Sequence, residues 1–303
     1  VLVNPTSGGG RAARARPHVE SLLRKHGVEA TFAESRSTED VRRIAAGAAG
    51  QGYDVLAVLG GDGTAHHAFN AAFASGVTFG VFPAGNGNDI ARALGLPLDP
   101  FAAARAFARG RPRAVDALRA TTADGASRLF FAAGGLGLDA ATAALVNGRF
   151  RRLPGVARYV AAALWALRGF RPFPLEVVFD AAPRPLHAGA GPAPAMRFGP
   201  SLLAAVANGP WYGAGVCIAP CARMDDGLLD LAVLGELPFL RVLDALPIVL
   251  RDGDLRWPEV QRARARRVHL RPAGDVLFHG DGEVLGAAPV TVEVLPRAFR
   301  ITC

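Results

Sequence analysis

Through the first hundred residues, wholly apolar runs alternate with stretches whose apolar positions recur every three or four residues. "VLVNP" reads as a strand ended by Pro5, and "RAARARPHVESLLRKHG" as a helix closed by Gly27. "VEATFAES" is a second strand. The helix "STEDVRRIAAGAAGQG" follows, with Ser37 or Thr38 as its N-cap and acids in its first turn. "YDVLAVLG" is a strand, "TAHHAFNAAFASG" a helix, "TFGVFPAG" a strand and "NDIARALGL" a helix. Strands that are apolar throughout are buried on both faces. Their alternation with helices predicts a parallel sheet covered on both sides.

Beyond about residue 114 the texture changes. "SRLFFAAGGLGLDA", "LEVVFD", "SLLAAVANGP", "GLLDLAVLGE", "RRVHLRPAG", "DVLFHGDGE" and "VTVEVLP" read as strands separated by turns. One basic, aromatic-bearing helix interrupts them at roughly 154–168, and "DAAPRPLHAGAGPAPAM" reads as a long loop. No internal repeat is present. The expected fold class is α/β plus mostly β. An α/β domain spans 1–114 and a β-rich domain 115–303, with the last strand packing back on the first domain.

In parallel sheets, ligands bind beyond the carboxyl ends of the strands. Three glycine-rich loops fall there: "NPTSGGG" at 4–10, "GGDGT" at 60–64 and "PAGNGND" at 83–89. Each alone is a strand–helix turn as readily as an anion site. In the first, Asn4, Thr6 and Ser7 offer polar groups, and Gly8 to Gly10 offer open N–H groups for an anion nest, without the Lys of a P-loop. In the second, the helix N-terminus favours an anion, yet Asp62 repels one. Asp62 therefore points to a metal ion, to proton transfer, or to a simple helix cap. In the third, Asn86, Asn88 and Asp89 precede a helix, and Asn88 or Asp89 as an N-cap is the plain alternative.

Two acidic turns lie in the β-rich half. In "FHGDGEVL", Asp281 and Glu283 stand two apart on a strand and would share a face, where one could take a proton from a hydroxyl. A tight hairpin turn is the alternative. In "RMDDGLLD", Asp225 and Asp226 could hold a divalent ion with nearby carbonyls, or only make a turn. His66 and His67 are adjacent on a helix and point about 100° apart, so they do not readily chelate one ion. Surface or cleft-lining places are expected for them and for His279.

The formal net charge is +8 and the pI about 10.5, almost all of it from Arg, with Lys25 the single lysine. The segments "RFRR" at 149–152 and "RARARR" at 262–267 face either anionic phospholipid or plain solvent. No aromatic-interleaved basic motif accompanies the charge, so nucleic acid is not an expected partner. Cys217, Cys221 and Cys303 have no ligand set to complete a zinc site and read as buried, inert thiols of a reducing compartment. The chain opens on an apolar strand without a leader pattern, and "VAAALWAL" is too short to span a bilayer. A cytoplasmic protein, peripheral at the inner membrane face, is the expectation.

The series "NPTSGGG", "GGDGT" with Asn70 further along its helix, "GNGNDIARALGLP", Val115-Asp116, "NGPWYGAGVCIAPCARMDDGLLDL" and "GDGE" resembles the diacylglycerol kinase catalytic-domain family. Its soluble bacterial lipid kinases, related to sphingosine kinases and more distantly to NAD kinases, are the nearest likeness. The resemblance runs from residue 4 to residue 283. It implies an ATP-binding first domain, a β-rich second domain that supplies the base, and an active site between them. It implies that ATP contacts Asn4, Pro5, Thr6, Ser7 and Gly8, then Ser35, then Gly60, Gly61, Asp62, Gly63 and Thr64, and Asn86, within the loop of Asn88 and Asp89. Asp62, Asp89 and Asp116 would organise Mg²⁺, and Glu283 would be the general base with Asp281 close by. Asp226 with the carbonyls of Arg223 and Leu228 would form a separate structural Mg²⁺ site.

The implied reaction is phosphoryl transfer from ATP to a lipid hydroxyl, foremost that of diacylglycerol, at a membrane surface, by a protein that could be a homodimer. The alternatives are a sphingoid base, a polyprenol or a small metabolite including NAD as acceptor, or a nucleotide-binding regulator without turnover. Two departures stand out. The helix after "GGDGT" usually begins Leu-Asn-Glu in the family but here reads Ala65-His66-His67, and "GNGND" replaces Gly-Thr-x-Asn-Asp.

Overall fold

The computed structural model describes all residues except 151, 152, 154, 181–183, 186–194, 214, 254 and 303. Most of the loop expected at 180–196, half of "RFRR" and Cys303 lie outside the described residues. The chain divides into two compact units, Val1–Val115 with Arg297–Cys303, and Asp116–Pro296.

The first unit follows the strand–helix alternation. Its elements are β1 (Leu2–Val3), α1 (Ser7–Lys25), β2 (Ala33–Glu34), α2 (Thr38–Gly47), β3 (Val55–Gly60), α3 (Asp62–Ala72), β4 (Thr78–Pro83), α4 (Asp89–Ala93) and α5 (Pro100–Arg109). The strands pair in parallel in the order β2, β1, β3, β4, and Ile301 near the chain end adds to β4 opposite Phe79. Both faces are covered. Phe82 meets Phe107 of α5 on one side, and Phe79 meets Phe69 of α3 on the other, at centroid distances of 5.3 and 4.5 Å. Ala12, Ala15, Val19 and Leu23 of α1, spaced three or four apart, bury against Ala57 and Leu59. Ser37 caps α2, its hydroxyl accepting from Asp40 N at 3.1 Å.

Two expectations change here. The second strand is only Ala33–Glu34 rather than 28–35, because Glu29, Ala30 and Thr31 are exposed at the sheet edge. Helix α5 extends beyond the expected pattern. It is started by Asp99, whose Oδ1 accepts from Ala102 N at 2.8 Å, with Pro100 at the first helical position.

Strand β5 (Pro112–Thr121) leads into the second unit. There β6 (Ser127–Phe130), β7 (Ala133–Gly137), α6 (Leu138–Asn147), α7 (Gly155–Leu167), β8 (Phe173–Phe179), β9 (Arg184–Pro185) and β10 (Ala195–Ala207) follow. The rest is β11 (Trp211–Tyr212), β12 (Val216–Cys217), β13 (Leu229–Gly235), α8 (Phe239–Arg251), β14 (Val260–Ala265), β15 (Arg267–Pro272), β16 (Leu277–Gly280), β17 (Glu283–Ala287) and β18 (Val290–Thr302). Its strands pair antiparallel in the order β17, β16, β7, β10, β8, β15, β18, with β13 also on β10. In β8 the residues Phe173, Leu175, Val177 and Phe179 are buried while those between are not, the period of a strand with one core face. The run "SRLFFAAGGLGLDA" is not one strand. It divides into β6, β7 and the first turn of α6, the chain bending at Gly137 with φ +98°. β5, β14 and α8 are further elements that the periodicity of the chain did not mark.

Candidate active site

In the first unit the three glycine loops are locked to one another. Asn4 Nδ2 donates to Thr64 Oγ1 at 2.9 Å, joining the loop after β1 to α3. Asn4 Oδ1 accepts from Thr6 N at 3.2 Å and from the Thr6 hydroxyl at 2.9 Å, which folds that loop on itself. Gly8, Gly9 and Gly10 all have positive φ, and a Cβ on Gly8 would collide with the carbonyl of Ala84 in the third loop. The second and third loops meet backbone to backbone: a Cβ on Gly61 would lie 3.0 Å from Gly85 Cα. Asp62 Oδ1 accepts from Ile90 N at 3.0 Å, so the acid of "GGDGT" caps the helix of "GNGND". These contacts make one interlocked edge rather than three independent turns.

Asn88 sits in the left-handed region at φ +58°, and its amide is committed to its own loop. Oδ1 accepts from Gly85 N at 2.8 Å and Nδ2 donates to Gly85 O at 3.2 Å. Asn86 is exposed, and Arg11 reaches it at 3.1 Å while also donating to Gly85 O. Arg11 was not singled out in the sequence; the signal was a cation directly after the glycine run. Ser35 is buried at the end of β2, its hydroxyl donating to Val3 O at 3.2 Å. Asp89 is buried in the first turn of α4.

The histidines differ from expectation. His66 is 3% exposed and part of the core side of α3, with Asn70 Nδ2 donating to its carbonyl at 2.9 Å. His67 is half-buried, and burial, with the charges of His66 and Arg42, pushes its imidazole down to about 4. The folded state therefore binds fewer protons than the unfolded chain between about 4 and the ordinary value near 6.5. The titration of His67 does not change stability above that window and lowers it as the pH falls through it. Urea midpoints should decline from pH 6.5 to 4, and His67→Gln should flatten part of that decline. Identical slopes in the two proteins would rule out its titration.

In the second unit, "HGDGE" is a hairpin and not a continuous strand. Gly280 pairs with Glu283, and the two turn residues Asp281 and Gly282 have φ of +52° and +85°, as a two-residue type I′ turn requires. The expected sharing of one strand face by Asp281 and Glu283 is thereby corrected. The Asp281 carboxylate turns to the β6–β7 link instead, accepting from Phe131 N at 2.9 Å and Ala132 N at 2.8 Å. Glu283 is the first residue of β17 and is partly exposed.

A hydrogen-bond chain ties this hairpin to Asp116. Asn208 Nδ2 donates to Phe131 O and to Asp116 O, both at 2.8 Å. Asp116, fully buried, accepts from Gly227 N at 2.8 Å through Oδ2, and its own N–H donates to Met224 O at 2.7 Å. Asp281, Asn208, Asp116 and the 224–227 turn thus form one network. Asn208 lay within the "NGP" motif but was not assigned; a buried amide that bridges two backbone carbonyls leaves no local pattern.

Asp226 Oδ1 accepts from Leu228 N at 3.1 Å, and its Oδ2 lies 3.9 Å from Arg264 Nη1. The same guanidinium donates through Nε to Asp230 Oδ1 at 3.0 Å. Burial pushes the Asp230 carboxyl up to about 6 despite Arg264, and its Oδ2 is buried without a hydrogen-bond partner. Two carboxylates against one arginine leave uncompensated oxygen at this turn, a donor set that fits a hard cation. Asp225 points elsewhere, to Arg223 at 3.3 Å. Among the described residues, no three His, Cys, Asp or Glu side chains gather closely enough to hold a metal ion unaided.

In the segment 262–267 three of the four arginines are engaged within the protein, while Arg266 and Arg267 are exposed. Arg262 donates to Leu255 O and Gly253 O, Arg264 to Asp230, and Arg267 to Glu293 and Asp180. Cys217 is buried, and burial raises its thiol to about 11, but Cys221 is exposed, contrary to expectation. Among the described residues no helix is long and apolar enough to cross a membrane.

The α/β unit thus carries a locked edge of glycine loops, and the β-rich unit that follows presents an acidic hairpin. The model of the diacylglycerol kinase catalytic domain matches residues 1–120. That of the YegS C-terminal NAD kinase beta sandwich-like domain matches residues 133–303. A diacylglycerol kinase of Mycobacterium tuberculosis (strain H37Rv) is 30% identical over 304 residues, covering 99% of this chain and 93% of that protein. A diacylglycerol kinase of Bacillus subtilis (strain 168) is 25% identical over 295 residues, covering 95% and 90%. The crystal structure of a diacylglycerol kinase from Bacillus anthracis superposes with a TM-score of 0.71 at 20% identity, over 99% of this chain and 94% of that one. The chain belongs to the diacylglycerol kinase catalytic-domain family of phosphotransferases.

Proposed function

We propose that this protein is an ATP- and Mg²⁺-dependent lipid kinase that transfers the γ-phosphoryl group to a lipid hydroxyl, with diacylglycerol as acceptor and phosphatidic acid as product. The observation that carries this reading is the mutual locking of the three glycine loops around Gly8, Gly61 and Gly85, which brings all three together beside the N-terminus of α3, where an anion is favoured.

In this reading the phosphates lie along Asn4 to Gly8 and Gly60 to Thr64. Arg11 and Asn86 border them, and Ser35 stands at the nucleoside end. Asn88 braces its loop rather than binding. Asp62 and Asp89 would hold Mg²⁺, and Asp116 is proposed as a further acid for the ion. When bound, Mg²⁺ would supply neutralisation of the charge on the phosphates. Glu283 accepts the proton of the acceptor hydroxyl, and Asp281 holds the Glu283 hairpin in place through Phe131 and Ala132. A second ion is assigned to Asp226 with the carbonyls of Arg223 and Leu228.

The acceptor is proposed to be met at a membrane surface. Arg149 lies 4.1 Å from the exposed Trp165 ring, and residues 140–175 hold arginines but no acid. A cation beside an exposed aromatic ring suits an anionic lipid interface.

The test is incubation with labelled ATP, Mg²⁺ and a mixed membrane lipid extract, followed by thin-layer separation. Labelled phosphatidic acid is the expected product, lost on chelation of the ion. Label in a sphingoid phosphate, a polyprenyl phosphate or NADP would replace the acceptor. Tight ATP binding without any labelled product would replace the kinase reading by a regulator.

A further inference from the structure

Next to the hairpin that carries Glu283 lies a buried pair of titratable side chains that the proposed chemistry does not use. His279 stands on β16, two residues before the turn residue Asp281. Its Nε2 is 3.2 Å from Asp139 Oδ2, and the two side chains are 3% and 2% exposed. Asp139 occupies the first turn of α6, where a negative charge is favoured, and its Oδ1 accepts from Ala140 N at 2.8 Å. The ring of Tyr212, from β11, stacks on the imidazole at 6.3 Å between centroids and 16° between planes.

The geometry is that of a close contact and not of an aligned hydrogen bond. Asp139 Oδ2 and both imidazole nitrogens are buried without a hydrogen-bond partner. The backbone has made room for the pair. Gly135 lies opposite His279 in the β7–β16 ladder, and a Cβ there would strike Asp139 Oδ2 and stand 2.7 Å from Ala204 O. Two buried polar side chains with so few partners are costly, and removing either member leaves the other stranded. Apolar residues would fill the same space without that cost. The pair must therefore serve something other than bulk packing. It joins the start of α6 to β16, and β16 runs directly into the turn and Glu283.

We propose that Asp139 and His279 are positioning residues, a buried carboxyl–imidazole contact that fixes the end of β16 and with it the placement of Glu283. This rests on the assignment of Glu283 as base. Asp139→Asn should lower kcat for lipid phosphorylation about tenfold or more while KM for ATP stays within twofold. The double variant Asp139→Asn/His279→Gln should cost no more than the worse single. In a Glu283→Gln background, Asp139→Asn should leave the residual rate unchanged, because the pair acts through Glu283. A purely structural role would instead raise KM or lower both backgrounds alike, and either result overturns the proposal. Backbone amide exchange at 280–283 should quicken in Asp139→Asn, and in the milder His279→Gln, while that of β8 does not. Unchanged exchange at the hairpin also overturns it. That measurement needs no substrate: if the wild-type protein phosphorylates no lipid, the function reading fails alone, and the exchange data still decide the pair.

Discussion

Glu283→Gln is expected to remove phosphoryl transfer, by about 10²- to 10⁴-fold in kcat, while leaving nucleotide binding intact. The side chains are nearly isosteric. The substituted residue still opens β17 opposite Gly280, so the hairpin pairing persists. The Asp281 carboxylate still accepts from Phe131 and Ala132, so the turn keeps its anchor. What is lost is an acceptor for the proton of the attacking hydroxyl. KM for ATP should not move, because the nucleotide contacts assigned here lie on the glycine loops. The informative measurement is a single-turnover rate with saturating lipid, beside ATP affinity by calorimetry. Wild-type turnover in this variant would sink the base assignment. Asp281→Ala would be a poorer test. It releases two buried backbone donors, and activity would fall through the hairpin whatever the chemistry.

Asp62→Asn is expected to have the second largest effect, a loss of about 10²-fold or more in kcat/KM, from an electrostatic contribution of several kcal/mol. Asp62 has a local structural duty in capping α4 through Ile90 N. An asparagine oxygen can still accept that N–H, so the joint between the second and third loops survives and stability should change by less than about 1 kcal/mol. The charge does not survive. The ratio of rates at low and high Mg²⁺ should therefore shift, with a higher Mg²⁺ concentration needed for half-maximal activity. An unchanged Mg²⁺ dependence would leave Asp62 as a helix cap alone. Asp62→Ala would lose the cap as well and could not separate the two roles.

The alternation of apolar strands and amphipathic helices in the first unit could be read directly, because each element there buries a face with its own period. Phe79 and Phe82, three apart on β4, show why: they pack against helices on opposite faces of the same strand. The second strand is shorter than its sequence predicts because residues 29–31 sit at an exposed edge, where propensity has no core to enforce it. In the second unit, Gly134, Gly135 and Gly137 hid the break between β7 and α6. A glycine-rich strand carries little side-chain pattern, and its small residues are explained only by what packs on them, among them the Asp139 carboxylate.

The candidate site divides along the same line. The sequence by itself determined which loops are glycine-rich, that they end parallel strands, and which acids stand in turns, since these are local properties of the chain. The tertiary structure alone decided that Asp62 caps a helix twenty-eight residues away, that Asp281 is a hairpin turn residue bound to the β6–β7 link, and that Asn208 joins Asp116 to Phe131. It also decided that His66 and His279 are buried. Each of these is a hydrogen bond or a burial between segments distant in sequence. The partner's identity, not the local pattern, sets what such a side chain does.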